Sequence, residues 1–301
     1  MLLQIDHSTS YRYRSPVEFT PHLLRLTPKA SPGLHIVRSS LQISPQAFVR
    51  WNLDAEENIV ATATIMAKGE ELLISSSVLI EQKVTNPFDF LLDERSLQLP
   101  ISYTNRETSL LAPYLGVQGF RHAPLRSWLE PFIRDSVGDL PGSRPDTLAL
   151  LIALNRSVPT LFRYSQRHES GVQSPAETLD RGEGTCRDFA LLMMESARSL
   201  GIAARYVSGY LCASPSVGDE GKAEAHTHGW FEVYLPGGGW RGFDPTNGIL
   251  SSTHHVPVAT AITAGEIPPV EGSYLGEAGE CMRHDVSISA IELPSYENDS
   301  A

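Results

Sequence analysis

Apolar and polar residues alternate through the first third of the chain. Leu3, Ile5, Tyr11 and Tyr13 share one parity, Leu34 with Ile36 and Leu41 with Ile43 form short alternating runs, and Ile74, Val78 and Ile80 mark another face with Ser76 between them. A period of two sets such side chains on one side of a pleated strand. Turn material separates the runs: Ser15-Pro16, Thr27-Pro28, Ser31-Pro32-Gly33 and later the polar stretch Asp54 to Asn58. Several short strands punctuated in this way predict a β-sandwich-like domain over residues 1–85.

Asn86-Pro87 ends that pattern, and residues 86–110, with Pro100 and little periodicity, read as an extended linker. Helical spacing starts beyond it. Leu125, Trp128, Leu129 and Phe132 form one stripe, and Leu148, Leu151 and Ile152 another, the latter opened by Pro145-Asp146. These residues belong to a second domain, 111–275, followed by a C-terminal strand and tail over 276–301.

The centre of the second domain runs from Ser174 to Asn247. Ser174-Pro-Ala-Glu177 is a capping box with Pro at the first helical position, and Gly182-Glu-Gly184 stops the short helix it starts. Thr185-Cys-Arg-Asp188 has the spacing of a second box. Phe189, Leu192, Met193, Ala197 and Leu200 then recur at helical spacing until Gly201. Cys186 therefore takes the first helical position. Ala203 to Leu211 reads as a strand, and a polar loop reaches about Glu224. His228–Leu235 and Trp240–Phe243 are two strands joined by Pro236-Gly-Gly-Gly239. A helix followed by an antiparallel meander predicts an α+β fold.

Composition narrows the functional classes. A chain of 301 residues has room for two cores. A formal charge of -11 argues against a nucleic-acid partner, which requires a basic face. No apolar run is long enough to span a bilayer, and Met1 to His7 lacks the pattern of a leader, so a cytoplasmic protein is expected. Three cysteines, Cys186, Cys212 and Cys281, make no disulfide framework; Cys212 and Cys281 read as structural.

Cys186 is the chemical candidate. At a helix N-terminus, unpaired N–H groups and the macrodipole stabilise a thiolate, and the same amides can serve an oxyanion. The base must come from the covering sheet, and His228 and Asp244 lie on the two strands of the predicted hairpin. If these two face each other the midpoint is Pro236, which calls for an irregular turn with a bulge in the remaining glycines. Singly, each residue has an ordinary alternative: an inert buried thiol, a strand histidine, an Asp-Pro turn.

Other residues carry two readings each. His226 and His228 form a His-x-His pair that would bind zinc with Asp244 or Cys212, although four ligands are not evident from the spacing, and His226 otherwise lies at the cleft edge. Tyr164 is a candidate oxyanion donor or a plain tyrosine. Trp230 reads as a cleft wall or as packing. Asp188 opposes a thiolate one turn away, unless it serves as a cap.

Four ordered segments carry a resemblance: Gly184-Thr-Cys-Arg-Asp-Phe-Ala190, Gly201-Ile-Ala-Ala-Arg-Tyr-Val-Ser-Gly-Tyr210, His228-Gly-Trp230 and Gly239-Trp-Arg-Gly-Phe-Asp-Pro-Thr-Asn247. With Ile5 to Tyr11, Pro16-Val17 and Leu24 to Pro28 at the start, the chain resembles the bacterial transglutaminase-like family, often described as cysteine proteases. Gly229 departs from the more usual His-Ala-Trp. The resemblance implies a papain-like core with Cys186 as nucleophile, His228 as general base and acid, and Asp244 as the orienting carboxylate. It implies attack on an amide of a peptide or protein substrate through a thioester, with no metal or organic cofactor, and leaves oligomeric state open. Hydrolysis is the leading expectation. The alternatives are protein-glutamine transglutamination and a non-catalytic peptide-binding module.

Overall fold

A computed structural model describes residues 1–83, 86–116, 123–137, 142–166, 171–212, 222–276 and 281–293. The N-terminal region is made of β1 (Leu2–Phe19), β2 (His22–Leu24), β3 (Leu34–Ser44), β4 (Ala47–Leu53), β5 (Ile59–Ile65) and β6 (Gly69–Gln82). Helices follow: α1 (Glu94–Leu97), α2 (Asn105–Leu111), α3 (Ala123–Asp135), α4 (Thr147–Leu161), α5 (Pro175–Arg181) and α6 (Cys186–Ser199), with the short strands β7 (Arg163–Tyr164) and β8 (Glu183–Gly184) among them. The remaining strands are β9 (Ala204–Cys212), β10 (Lys222–Leu235), β11 (Gly239–Asp244), β12 (Ile249–Leu250), β13 (His255–Ala261), β14 (Val270–Glu271), β15 (Tyr274–Leu275) and β16 (Cys281–Leu293).

The fold is α+β, a strand-built N-terminal half joined to a transglutaminase-like core in which α6 packs on an antiparallel sheet. In the N-terminal half, β3, β6 and β1 form one layer, and β14, β2, β5 and β4 another. Val17, Leu24, Ala61, Ala63, Leu72 and Ile74 fill the space between them, as the period-two pattern requires. The inward parity of β1 is not wholly apolar, because His7 and Thr9 are buried on it beside Leu3 and Ile5. His7 spends both ring nitrogens there, one on the Tyr210 hydroxyl at 2.8 Å and one on Thr9 Oγ1 at 2.9 Å.

That contact lies on a seam. Leu3, Ile5, Val78 and Ile80 pack against Tyr210, Cys212, Val256 and Val258 from β9 and β13. β16 joins the halves through the backbone, pairing with β1 along most of its length and with Lys222 to Glu224 of β10. The C-terminal strand therefore lies between the first strand and the core sheet, a long-range placement that no local pattern encodes.

Two expectations are corrected. The stretch 86–110 is not simply extended, since it carries α1 and the start of α2. Thr104 caps α2 with its hydroxyl on the Glu107 N–H at 3.2 Å, and Glu107 Oε2 accepts from the Thr104 N–H at 2.8 Å. That Thr-x-x-Glu box is a local signal the linker reading passes over. The hairpin turn is also simpler than expected. Leu235 pairs with Gly239 and Phe231 with Phe243, so Pro236 to Gly238 form a three-residue loop and the ladder runs without a bulge. This register sets Asp244 two residues from His228, not opposite it. An offset of two keeps both on one face, within reach of each other diagonally.

The core of the second half is apolar and continuous. Leu129, Leu150, Leu154, Phe189, Leu192, Met193, Phe231 and Phe243 are buried together, so the helices and the hairpin share one interior. Burial of this kind is what fixes the start of α6 against β10.

Candidate active site

Local sequence sets the nucleophile's helix. Gly182 closes α5 in the left-handed region, at φ 63°. Thr185 then starts α6, and Asp188 reaches back to accept from the Thr185 N–H at 2.8 Å and the Thr185 hydroxyl at 2.9 Å. The other Asp188 oxygen accepts from the Gln173 N–H at 2.7 Å. This carboxylate, a threat to thiolate formation on sequence grounds, is a buried cap that clamps the approach to Cys186.

Cys186 is partly exposed at the head of α6, with the His228 imidazole and the Gly229 N–H set against its thiol. His228 is buried, and its Nε2 donates to Asp244 Oδ2 at 3.0 Å. Cys186, His228 and Asp244, the three residues singled out in the sequence, thus lie next to one another.

The electrostatics favour charge separation. Burial pushes the Cys186 thiol up, yet the His228 hydrogen bond and charge, the Gly229 N–H and Arg187 outweigh it and leave the thiol below its ordinary value of 9.0. Burial likewise opposes a charged His228, but Asp244 and the Cys186 sulfur raise it from 6.5 to about 9. Asp244, despite burial, is held well below the usual carboxylate range by His228 and His255. Both shifts act in the direction of a thiolate beside an imidazolium.

Asp244 is more than a third member of a line. Its Oδ2 accepts from His228, from His255 Nε2 at 3.0 Å and from Asn247 Nδ2 at 2.7 Å, while Oδ1 accepts from the Thr246 N–H at 2.9 Å and the Asn247 N–H at 3.3 Å. His255 Nδ1 accepts from the Ser252 N–H at 3.1 Å, which places its hydrogen on Nε2 and makes it a donor. Asn155 of α4 donates to the Asp244 carbonyl at 3.3 Å and the Ile249 carbonyl at 3.0 Å, holding the end of β11.

The ligand atoms of His228, Asp244 and His255 lie within 4.8 Å of one another, a spacing at which a metal would also fit. The His226, His228 and Asp244 grouping considered from sequence is not the one that forms. In the arrangement present, N–H donors saturate the carboxylate and each imidazole nitrogen facing it sits at hydrogen-bond distance, so the cluster is complete as a hydrogen-bonded unit.

The other sequence candidates separate. Tyr164, half exposed, and His226, exposed, line a cleft of about 940 Å³ with Cys186, Arg187, Tyr206 and Ile267. Trp230 does not line it. Its ring stacks behind His228 at 6.1 Å and meets His255 edge-on at 5.3 Å, so it packs the far side of the imidazole. Cys212 is a buried free thiol of the seam, and the Cys281 side chain lies outside the described residues. Sequence reasoning missed His255, Asn155 and Tyr206. Only Asn247, three residues after Asp244 in a turn, had a local signal.

Comparison with known proteins follows this geometry. The profile of the bacterial transglutaminase-like N-terminal region matches residues 3–81, and that of the transglutaminase-like superfamily core matches residues 140–245. The chain belongs to the bacterial transglutaminase-like superfamily. Among proteins similar to this chain, an uncharacterized protein of Mycobacterium leprae is 24% identical over 289 residues, covering 96% of this chain and 99% of its own. One from Mycobacterium bovis is 27% identical over 302 residues, covering 96% and 92%. A crystal structure described as a "putative cysteine protease" from Cytophaga hutchinsonii aligns with a TM-score of 0.68 at 18% identity, covering 98% of this chain and 92% of that one. That structure therefore shares the fold of both halves of this chain. Among the described residues, no helix is long and apolar enough to cross a membrane.

Proposed function

We propose that this chain is a cysteine-nucleophile acyl-transfer enzyme acting on amide bonds of a peptide or protein, with Cys186, His228 and Asp244 as its catalytic residues and hydrolysis as its overall reaction. The observation that carries the reading is the arrangement at the head of α6: Cys186 against the buried His228 imidazole, whose Nε2 lies 3.0 Å from an Asp244 carboxylate saturated by N–H donors. The Cys186 thiolate attacks the amide carbonyl, and a carbon–sulfur bond forms as the carbonyl pair moves to oxygen. The intermediate collapses with cleavage of the carbon–nitrogen bond, His228 giving its proton to the leaving amine. Water, deprotonated by His228, then cleaves the thioester and frees the sulfur.

The open cleft supports hydrolysis, because water reaches the thioester freely. The similar Cytophaga hutchinsonii structure, described as a "putative cysteine protease", is consistent with it. The test is mass-spectrometric trapping of an acyl adduct on Cys186 from a peptide library, with Cys186→Ala as control. The expected result is an adduct confined to Cys186 that water discharges. Incorporation of an added primary amine in place of water would reassign the reaction to transamidation, and no adduct with any peptide would favour a binding module.

A further inference from the structure

One hydroxyl in the cleft is unused by the chemistry above. Tyr206, on β9, is only 3% exposed, yet it lines the cleft beside Cys186, and its hydroxyl has no hydrogen-bond partner among the described residues. Buried tyrosine hydroxyls normally find a partner, and an unmet one is costly. Burial, reinforced by the charge on Cys186, holds the phenol's pKa far above its ordinary value. At neutral pH the group is a protonated donor that opens on the cleft.

Gly229 explains how the hydroxyl comes to be there. A Cβ at position 229 would lie 2.4 Å from the Tyr206 oxygen and 3.1 Å from its Cζ, so the phenol would have to shift to make room for it. The same residue directs its N–H at the Cys186 sulfur. Sulfur and phenol therefore meet on one glycine from two sides, and the missing methyl is the space the phenol fills.

We propose that Tyr206 is a further catalytic residue, its hydroxyl donating a hydrogen bond to the substrate carbonyl oxygen as Cys186 attacks, with Gly229 as the gap that admits it. The inference rests on the nucleophile reading above. As the carbon–sulfur bond forms, the carbonyl pair localises on oxygen and the Tyr206 O–H stabilises that charge; its proton stays on the phenol. When the carbonyl re-forms, the same proton again opens on the cleft. A donor already fixed where the oxyanion forms needs no reorganisation, which favours Tyr206, 3% exposed and held by the core, over Tyr164, which is 50% exposed.

Two reagents separate this role from support of the thiolate. p-Nitrophenyl acetate acylates a thiolate through an oxyanion, whereas iodoacetamide alkylates it by displacement at carbon with none. In Tyr206→Phe, nitrophenolate release and acetyl-Cys186 formation are expected to slow by about 10²-fold, with iodoacetamide labelling of Cys186 unchanged. Gly229→Ala keeps the phenol but displaces it, and is expected to slow acylation as well; it carries the test if Tyr206→Phe does not fold. Acylation at the wild-type rate in both variants overturns the inference, as does an equal fall in acylation and alkylation in Tyr206→Phe. A wild-type Cys186 that takes up neither reagent faster than Cys212 overturns the nucleophile reading itself, and this inference falls with it.

Discussion

The cleft at the head of α6 and the seam between the two halves each bury a cysteine and a histidine, and their titrations diverge. In the seam, burial acts alone: the Cys212 thiol is pushed up to about 12 and His7 down to about 4, so both stay neutral. In the cleft, burial pushes the same way and loses, because thiol and imidazole face each other and Asp244 stands behind the imidazole. His7 has a neutral phenol and a neutral hydroxyl as partners, which satisfy its nitrogens without favouring a charge. A buried polar pair becomes reactive only when a fixed charge outweighs desolvation. β9 serves both places, giving Tyr206 to the cleft and Tyr210 and Cys212 to the seam.

The largest expected effect comes from removing that fixed charge. Asp244→Asn should make the cleft behave like the seam: acylation of Cys186 is expected to fall by about 10³- to 10⁴-fold, and alkylation to fall with it as the thiolate is lost. Wild-type alkylation in this variant would show that Asp244 does not sustain the ion pair. Next in size is the contrast between thiols. At neutral pH, iodoacetamide should label Cys186 roughly 10²-fold or more faster than Cys212 in the native protein, with the difference vanishing in urea. Equal native rates would erase the comparison. The midpoint of the Cys186 rate against pH should lie below 9.0, the ordinary thiol value.

The smallest effect concerns stability. His7 has a folded value near 4 against 6.5 in the unfolded chain, so between these the unfolded chain binds the proton more tightly, and stability should drop as pH falls from 6.5 to 4. His7→Gln should lessen that drop, read as the change in unfolding midpoint across the window; an unaltered slope would remove His7 from the account.

The elements of the site were more legible in the sequence than its connections. The Thr185 box, the Gly182 stop and the stripe from Phe189 to Ala197 are local signals, and they placed Cys186 at a helix head correctly. The hairpin was legible but its register was not, because a run of glycines admits several loops and only packing of Phe231 and Phe243 selects the one that forms. His255 and Asn155 were illegible for a different reason. One is a strand histidine and the other a polar residue within a leucine-rich helix, and neither pattern says what lies across the interior.

What the residues alone determined was the set of pieces: strands first, a capped helix with a thiol at its head, a hairpin with a histidine and an aspartate, and the family to which that order belongs. Tertiary structure decided which charges meet. Hydrogen bonds from His255 on β13 and from Asn247, three residues on, complete Asp244; Asn155 on α4 holds its backbone; and Tyr206 enters the cleft through the space at Gly229. Helix capping acts over three or four residues and can be read along the chain. Desolvation and charge pairing depend on separations in space, which only the packed core sets.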